Sequence, residues 1–291
     1  MEVELTEARE ADVGGLPVRR ALPRRGRRTV GAWCFVDHFG PVAAERSDAM
    51  QVGPHPHIGL QTVTWLLEGE VLHTDSLGTE QPIRPGQLNL MTAGEGIAHA
   101  ESARRSTGTH GVQLWVAQPA ATRHDAPAFE HHAELPQVGL GEATATVLVG
   151  EFDGVSSPAR HDTALVGADL TLPAGTTTVP VGSGWEHALV VAHGAVRIDG
   201  RPVPPGVLAY LAPGRHEVAI GADAPARALL VGGEPFPEEV LMWWNFVARS
   251  RDEIDLARRE WNDGSDRFGE VPTPLERIPA PGTPWPEPTI L

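Results

Sequence analysis

The sequence lacks lysine altogether and contains a single cysteine, Cys34. A lone thiol cannot form an internal disulfide, so we predict a cytoplasmic protein. Cys34 lies in the apolar run of residues 32–36. We interpret it as a small buried hydrophobe rather than as a nucleophile, because a thiol in apolar sequence is usually packed and inert.

Long apolar runs are also missing. No stretch reaches the roughly 18 apolar residues that a membrane-spanning helix needs, so we expect no such helix and no membrane partner. The first five residues, Met1 to Leu5, are acidic and have no apolar core. We therefore do not expect a signal peptide.

Positive charge is scarce, since 23 arginines face 38 acidic residues and the net charge is −15. A strongly negative surface disfavours direct binding to nucleic acid. Six arginines nevertheless crowd residues 19–28. They could form an anion-binding patch or a solvated strand and turn whose arginines pair with carboxylates. We favour the second interpretation, because an isolated basic cluster is a weak motif.

The chain is instead rich in turn-forming residues, with 32 glycines and 27 prolines between short runs rich in valine and threonine. Between residues 50 and 118, apolar and β-branched runs of four to seven residues alternate with turn signals such as Arg84-Pro85-Gly86. This spacing predicts strands of an all-β barrel or sandwich rather than a βαβ sheet. Residues 119–145 are polar and proline-punctuated, and they read as a connection.

The strand pattern then resumes, and the two halves resemble each other loosely. Residues 66–71 match 191–196, and residues 84–88 match 204–208. This indicates an internal duplication and two barrels. One helix is predicted late, where Ser250 and Glu253 form a capping box before Ile254, Ala257 and Trp261 at helical spacing. The tail from Val271 carries seven prolines and is expected to be extended or mobile.

The chemistry is concentrated in two short motifs, His55-Pro56-His57 and His99-Ala100-Glu101. Alternate side chains of a strand point to the same face, so each pair would project together. Two such strands side by side would bring three imidazoles and one carboxylate together, a donor set for a borderline divalent metal. Spacing alone also leaves ordinary hydrogen bonding open.

Most of the 13 histidines need no ligand role. For His38 we favour a structural role over a ligand role. His132-Ala133-Glu134 repeats the second spacing but lies in the polar connection, with no His-x-His near it. We interpret the remaining histidines as solvated or hydrogen-bonded; they are His73, His110, His124, His131, His132, His161, His187, His193 and His216. The second half has neither motif, so one metal is expected.

Five segments around the two motifs are distinctive: Asp37-His38-Phe39-Gly40-Pro41, residues 55–64, Asp75-Ser76-Leu77-Gly78, residues 91–101 and residues 111–116. Together they resemble the pirin family of the cupin superfamily. The resemblance is specific over residues 30–118 and weaker beyond.

The resemblance implies an all-β bicupin, with two jelly-roll barrels and a short C-terminal helix. We expect a metal-binding cupin barrel over 1–118, a connection over 119–145, a cupin barrel without metal over 146–240, and the helix and proline-rich tail over 241–291. It also implies that His55, His57, His99 and Glu101 bind metal, most simply Fe²⁺, with another divalent transition metal as the alternative. Pirins usually have glutamate where this chain has Gln61, which we expect to alter the electrostatics near the site, with Gln61 as a hydrogen-bonding neighbour.

Some pirins are quercetin 2,3-dioxygenases, and others are transcriptional co-regulators or bind metabolic enzymes. Four protein ligands leave two positions of an octahedral shell open for a substrate oxygen and dioxygen. A flavonol dioxygenase with Glu101 as ligand and proton acceptor is therefore one hypothesis. A non-enzymatic, metal-dependent regulatory protein that binds a protein partner is the second. A structural metal in a closed shell is the third.

Overall fold

The computed structural model describes residues 3–43, 50–103 and 108–286. Strands dominate it, as the alternation of β-branched runs with glycine and proline turns predicts. The first half contributes β1 Glu4–Glu7, β2 Arg9–Val13, β3 Leu16–Leu22, β4 Trp33–Val42, β5 Gln51–His57, β6 Leu60–Glu68, β7 Val71–Asp75, β8 Glu80–Ile83, β9 Leu88–Thr92, β10 Ile97–Ala103, β11 Thr109–Ala117 and β12 Ala128–His132.

The second half contributes β13 Gln137–Leu140, β14 Ala143–Phe152, β15 Val155–Ser156, β16 Leu165–Leu172, β17 Gly175–Pro180, β18 Glu186–His193, β19 Val196–Ile198, β20 Arg201–Val203, β21 Val207–Leu211, β22 Glu217–Ala222 and β23 Ala226–Gly233. A hairpin of β24 Leu241–Trp243 and β25 Phe246–Ala248 follows. The helix α1 Arg251–Asn262 and a 3₁₀ turn Asp266–Phe268 come next.

Each half closes as a larger and a smaller antiparallel sheet. The first barrel pairs a seven-stranded sheet, in the order β12-β9-β6-β11-β4-β3-β2, with a four-stranded sheet in the order β5-β10-β7-β8. The second barrel pairs an eight-stranded sheet, β1-β21-β18-β23-β16-β14-β13 with β15 beside β14, with the sheet β17-β22-β19-β20. The all-β bicupin predicted from the sequence is thus confirmed.

Two segments join the barrels in ways that the sequence did not indicate. Strand β1 pairs with β21, so the first strand of the chain belongs to the sheet of the second barrel. Within residues 119–145, β12 adds to the larger sheet of the first barrel and β13 adds to the larger sheet of the second barrel. The connection therefore contributes one strand to each barrel.

The two large sheets pack against each other across an apolar layer that contains Trp33 and Trp65. Trp33 Nε1 donates to the carbonyl oxygens of Val166 (3.0 Å) and Gly232 (3.1 Å). Trp65 Nε1 donates to Asp169 Oδ2 at 2.8 Å. Both indoles reach from the first barrel into the second, which anchors the barrels to one another through directional bonds as well as through apolar contact.

The helix begins as its capping box predicts, because Ser250 Oγ accepts from the backbone N–H of Glu253. Ile254, Ala257 and Trp261 are buried against the hairpin of β24 and β25. The tail is extended and packed where it is described, and Ile278 N–H donates to Pro54 O at 2.9 Å. The last five tail residues, 287–291, lie outside the described residues. No helix in the described ranges is long and apolar enough to cross a bilayer.

Candidate metal centre

The two sequence motifs lie on adjacent strands. Strands β5 and β10 are antiparallel, and His55 is directly opposite His99. His57 shares a strand face with His55, since they are two residues apart. The ring centroids are 5.0 Å apart for His55 and His57, 4.3 Å for His55 and His99, and 4.9 Å for His57 and His99. Ring nitrogens of all three lie within 4.8 Å of one another.

Glu101 follows on the same face of β10, beyond a register shift that sets it opposite Val52. Its carboxylate oxygen groups within 4.8 Å with nitrogens of His99 and His73. It also lines the same cavity as His55, His57 and His99. The structure therefore brings the three predicted histidines together at the shortest range and sets the carboxylate at their side, beside His99.

Close backbone approach holds the motif strand in place. A Cβ on Gly53 would overlap the carbonyl oxygen of Glu276 in the C-terminal tail, and one on Gly59 would overlap that of Val247. These two glycines allow the tail and the hairpin of β24 and β25 to lie against β5.

Burial decides the protonation of the cluster. It lowers the pKa of His55 to about 4, and it lowers the pKa values of His57 and His99 well below 6.5, with further lowering from the neighbouring imidazoles. The three rings are thus neutral near pH 7 and hold lone pairs for a cation. Burial raises the pKa of Glu101, while His73 and Thr64 act in the opposite direction.

The donor atoms fit a divalent metal. Nε2 of His57 and Nε2 of His99 lie 3.0 Å apart. Two imidazole lone pairs at that separation repel unless a proton or a cation lies between them. About 3 Å is also the spacing of two neighbouring ligands, each ~2.1 Å from a shared ion and at right angles. With three nitrogens and one carboxylate, the set suits a borderline divalent metal better than a soft one.

His55 is already oriented for such a role. Its Nδ1–H donates to the carbonyl oxygen of Gly53 at 2.9 Å. A neutral imidazole with its proton on Nδ1 presents the Nε2 lone pair on the other side of the ring. The backbone of β5 thereby selects the tautomer of one candidate ligand.

The cluster opens into a cavity of about 350 Å³. One wall is the stacked pair of Phe35 and Trp115, whose centroids are 4.0 Å apart with 13° between the planes. His57 meets Trp115 edge-on at 5.2 Å. Trp244 and Asn245, at the tip of the hairpin of β24 and β25, also line the cavity.

Arg20 and Asp37 add two charged side chains to the lining. Arg20 donates twice to the Asp37 carboxylate, at 2.8 Å and 2.7 Å, and its guanidinium lies 4.5 Å from the centre of the Phe35 ring. The arginine-rich segment thus follows the second sequence interpretation here, as it does where Arg27 pairs with Glu4 at 2.8 Å.

Gln61 lies elsewhere than the sequence suggests. It does not line the cavity, whereas its strand neighbour Thr62 does. Successive strand residues face opposite ways, so Gln61 points away from the metal centre. Its Nε2 donates to Thr92 Oγ1 at 3.1 Å and to the carbonyl oxygen of Arg160 at 3.5 Å. The expectation that Gln61 is a hydrogen-bonding neighbour of the site is wrong, because the strand pleat turns it toward the second barrel.

Other predictions for single residues are confirmed. Cys34 is fully buried, and burial raises the pKa of its thiol to about 12. His38 is buried, and its Nε2 lies 2.9 Å from Nε2 of His110, away from the cluster. His132 bonds to Glu130 at 2.9 Å rather than joining Glu134 in a ligand pair.

The sequence interpretation missed two parts of the site. His73 is hydrogen-bonded, as expected, but its partners are Asp75 and His99, and its buried place beside the cluster is not predicted from the sequence. The spacing of His73 and Asp75, two residues apart on one strand like His55 and His57, was the available signal. Trp244 and Asn245 carry no local signal, because they reach the first barrel from beyond the end of the second.

Comparison with known proteins agrees with this architecture. The Pirin family model matches residues 15–116, and the Pirin C-terminal cupin domain model matches residues 167–269. The fold and the histidine cluster define a bicupin with a candidate metal centre in its first barrel. The chain belongs to the pirin family.

Three relatives illustrate the range. A Pseudomonas aeruginosa protein named "Putative quercetin 2,3-dioxygenase PA1205" is 46% identical over 96% of this chain and 90% of its own length. Human Pirin is 30% identical over 93% of this chain and 95% of its own. The crystal structure of a quercetin 2,3-dioxygenase from Acinetobacter baumannii is 43% identical, with a TM-score of 0.94 over 98% of this chain and 97% of that one.

Proposed function

We propose that this pirin-family chain holds Fe²⁺ through His55, His57, His99 and Glu101 and is a dioxygenase for flavonol-like substrates. Another divalent transition metal would suit the same donors. One observation carries the proposal: the neutral, buried imidazoles line the same cavity as a group of aromatic side chains. The quercetin 2,3-dioxygenase names of a relative at 46% identity and of a structure at 43% identity support it.

The cavity suits a flat aromatic ligand. Its volume of about 350 Å³ lies within the range of about 300–1,000 Å³ that is usual for small-molecule sites. The stacked Phe35–Trp115 pair lines the cavity, and Trp244 adds an indole at the hairpin tip. Aromatic faces favour offset or edge contacts with a ligand's rings and exclude water from the buried imidazoles.

Bound iron would supply Lewis acidity toward a substrate oxygen and one-electron chemistry toward dioxygen. The chain's own task is then to position the flavonol with its hydroxyl toward Glu101. Glu101 would accept that hydroxyl's proton, since its carboxylate lies beside the cluster and lines the cavity. We place this activity in the cytoplasm on account of the single cysteine.

The test is an aerobic assay of the Fe²⁺-loaded protein with quercetin, which follows flavonol absorbance and oxygen uptake together. We expect equal consumption of both by the native chain and none by His57→Ala. The matched control is His132→Gln, which changes a half-buried histidine outside the cluster and should retain activity. Loss of neither flavonol nor oxygen with the loaded native chain would overturn the dioxygenase.

An anaerobic titration then separates the remaining readings. A change in the metal's spectrum on addition of quercetin shows an open site that binds the flavonol, as the proposal requires. An unchanged spectrum, together with no turnover, would favour a structural metal or a metal-dependent protein partner, and it would contradict a flavonol site.

A further inference from the structure

Beside His99, at its Nδ1 rather than its Nε2, lies a chain of two buried residues that the proposed function does not use. His99 Nδ1 is 3.2 Å from His73 Nδ1. His73 Nε2 is 3.1 Å from Asp75 Oδ2. His73 is 3% exposed and Asp75 is fully buried, so water cannot substitute for either partner. The three side chains form one line that ends at the metal centre.

The strands explain the alignment. On β7, His73 is directly opposite Glu101 of β10, and Asp75 is directly opposite His99. His73 and Asp75 are two residues apart and share a face, as His99 and Glu101 do. The ring of Phe129 stacks on His73 with centroids 4.5 Å apart. His73 is thus held on one side by an aromatic ring and at both nitrogens by hydrogen bonds.

Asp75 is fixed as the end of the line. Its Oδ1 accepts the backbone N–H groups of Leu77 (2.9 Å) and Thr79 (3.0 Å), which form the turn after β7. Its Oδ2 is then left for His73. A carboxylate with these bonds is an acceptor only, so the hydrogen between it and His73 belongs to His73 Nε2.

We propose that Asp75 and His73 are positioning residues that fix the tautomer and orientation of His99, so that its Nε2 lone pair faces the metal. The inference rests on the proposed metal centre. A ligand nitrogen carries no hydrogen, so the proton of His99 is on Nδ1 and is donated to His73 Nδ1. His73 Nδ1 is therefore unprotonated, and His73 donates from Nε2 to Asp75. Every hydrogen in the line is placed by the one requirement at the metal.

This assignment also excludes a ligand role for His73. His73, His99 and Glu101 form a second group of donor atoms within 4.8 Å. In the assigned line, however, both nitrogens of His73 are occupied, one as donor to Asp75 and one as acceptor from His99. No lone pair of His73 is free for a second ion.

Asp75→Asn is the sharpest test, because it keeps the shape and reverses the direction of the line. The amide oxygen can still accept from Leu77 and Thr79, and the amide nitrogen then donates to His73 Nε2. His73 must carry its proton on Nδ1 and donate to His99, whose own proton moves to Nε2. We expect Co²⁺ affinity, measured by calorimetry, to fall about 10- to 100-fold.

The second variant is His73→Phe, which keeps a ring beneath Phe129 and removes both hydrogen bonds. A loss of Co²⁺ affinity within the same range is expected. The matched control is Glu130→Gln in the Glu130–His132 pair, which has the same two-residue spacing and a 2.9 Å bond but contacts no candidate ligand. Its Co²⁺ affinity should equal that of the native chain.

A readout independent of binding is the ¹⁵N spectrum of histidine-labelled, metal-free protein. We expect His99 to be protonated at Nδ1 in the native chain and at Nε2 in Asp75→Asn, with the thermal unfolding midpoint nearly unchanged. Protonation of native His99 at Nε2 would overturn the inference.

The outcomes separate the inference from the proposed function. A native chain that binds no Co²⁺ refutes the metal centre and the inference with it. A native chain that binds Co²⁺, with Asp75→Asn and His73→Phe binding it equally well, overturns the positioning line and leaves the metal centre intact.

Discussion

His57 and His99 face each other through their Nε2 atoms at 3.0 Å within a buried cluster. A metal held by this cluster would bind the folded chain, because the unfolded chain does not bring these histidines together. At a free Co²⁺ concentration 100 times Kd, the free energy of unfolding should rise by about 2.7 kcal/mol. Urea unfolding with Co²⁺ and with EDTA measures this difference. His57→Ala should abolish it and His132→Gln should retain it; an equal rise in His57→Ala would place the metal elsewhere.

Arg20 should stabilise the folded chain by compensating the charge of the buried Asp37 carboxylate. The Asp37 side chain is 3% exposed and that of Arg20 is 20% exposed. Burial raises the pKa of Asp37 and Arg20 opposes this. Arg20→Met leaves a buried carboxylate unpaired, so we expect the free energy of unfolding to fall by about 3 kcal/mol at pH 7.

Two measurements distinguish the effect of the unpaired carboxylate from a loss of side-chain packing. A raised folded pKa means that stability is present at low pH and is lost as the pH rises through that pKa, so the loss in Arg20→Met should shrink toward pH 4. Urea unfolding at pH 7 and pH 4.5 tests the sign. The double variant Arg20→Met/Asp37→Leu should be more stable than Arg20→Met alone. Strictly additive losses would contradict the pairing.

Trp244 should contribute to flavonol affinity and not to metal affinity. Its backbone φ is 51°, a left-handed conformation that is rare for a large side chain and is associated with functional turns. Trp244→Gly preserves this turn and removes the indole. We expect quercetin binding to Co²⁺-loaded protein to weaken by about 1 kcal/mol, or roughly fivefold, with Co²⁺ affinity unchanged. Trp243→Phe alters the neighbouring indole outside the cavity lining and should bind quercetin normally.

These residues show what the sequence could and could not predict. Period-two spacing is local, so His55 with His57 and His99 with Glu101 could be read as pairs on strand faces. Glycine and proline turns between β-branched runs likewise predicted the barrels, and the capping box with apolar residues at helical spacing predicted the helix. Which strand lies next to β10 is a tertiary fact, however. The sequence therefore does not distinguish His73 and Asp75 from ordinary polar residues, and only the pairing of β7 with β10 places them beside His99.

Long-range contacts account for the other differences. Trp244 reaches the cavity because Ile58 bridges to Phe246 at the edge of β5, a contact across almost 190 residues. The interpretation of Gln61 failed for a different reason. The glutamate that pirins usually have at this position suggested an effect on the site, and the alternation of strand faces along β6 turns Gln61 away from the cavity.

Acid should unfold the metal-free protein through its buried histidines. Burial lowers the pKa of His38 to about 3 and that of His187 to about 4. A lowered folded pKa gives stability that is present above the unfolded value, near 6.5, and is lost as the pH falls. Each such histidine should contribute a slope of up to about 1.4 kcal/mol per pH unit below pH 6.5.

His187 in the second barrel allows a clean measurement of that slope. Urea unfolding of metal-free protein between pH 7.5 and pH 5 should show stability falling with acidity, and His187→Gln should reduce the slope by up to one proton. The window stops above pH 5, because the raised pKa values of Asp37 and Glu101 oppose the trend nearer their own range. An unchanged slope in His187→Gln would show that folding does not lower the pKa of His187.

Gln61→Glu should alter stability and leave the metal centre unaffected. Gln61 is fully buried, and its Oε1 has no hydrogen-bond partner among the described residues. A carboxylate there faces the carbonyl oxygen of Arg160 without a hydrogen to donate, so we expect the free energy of unfolding to fall by about 2 kcal/mol at pH 7. Co²⁺ affinity should stay the same, because the side chain points toward the second barrel.

Gln113→Glu is the matched exchange inside the cavity, where Gln113 accepts from Thr64 at 3.0 Å. A new negative charge there should strengthen Co²⁺ binding. If Gln61→Glu instead strengthened Co²⁺ binding as Gln113→Glu does, residue 61 would be coupled to the metal despite facing away from it.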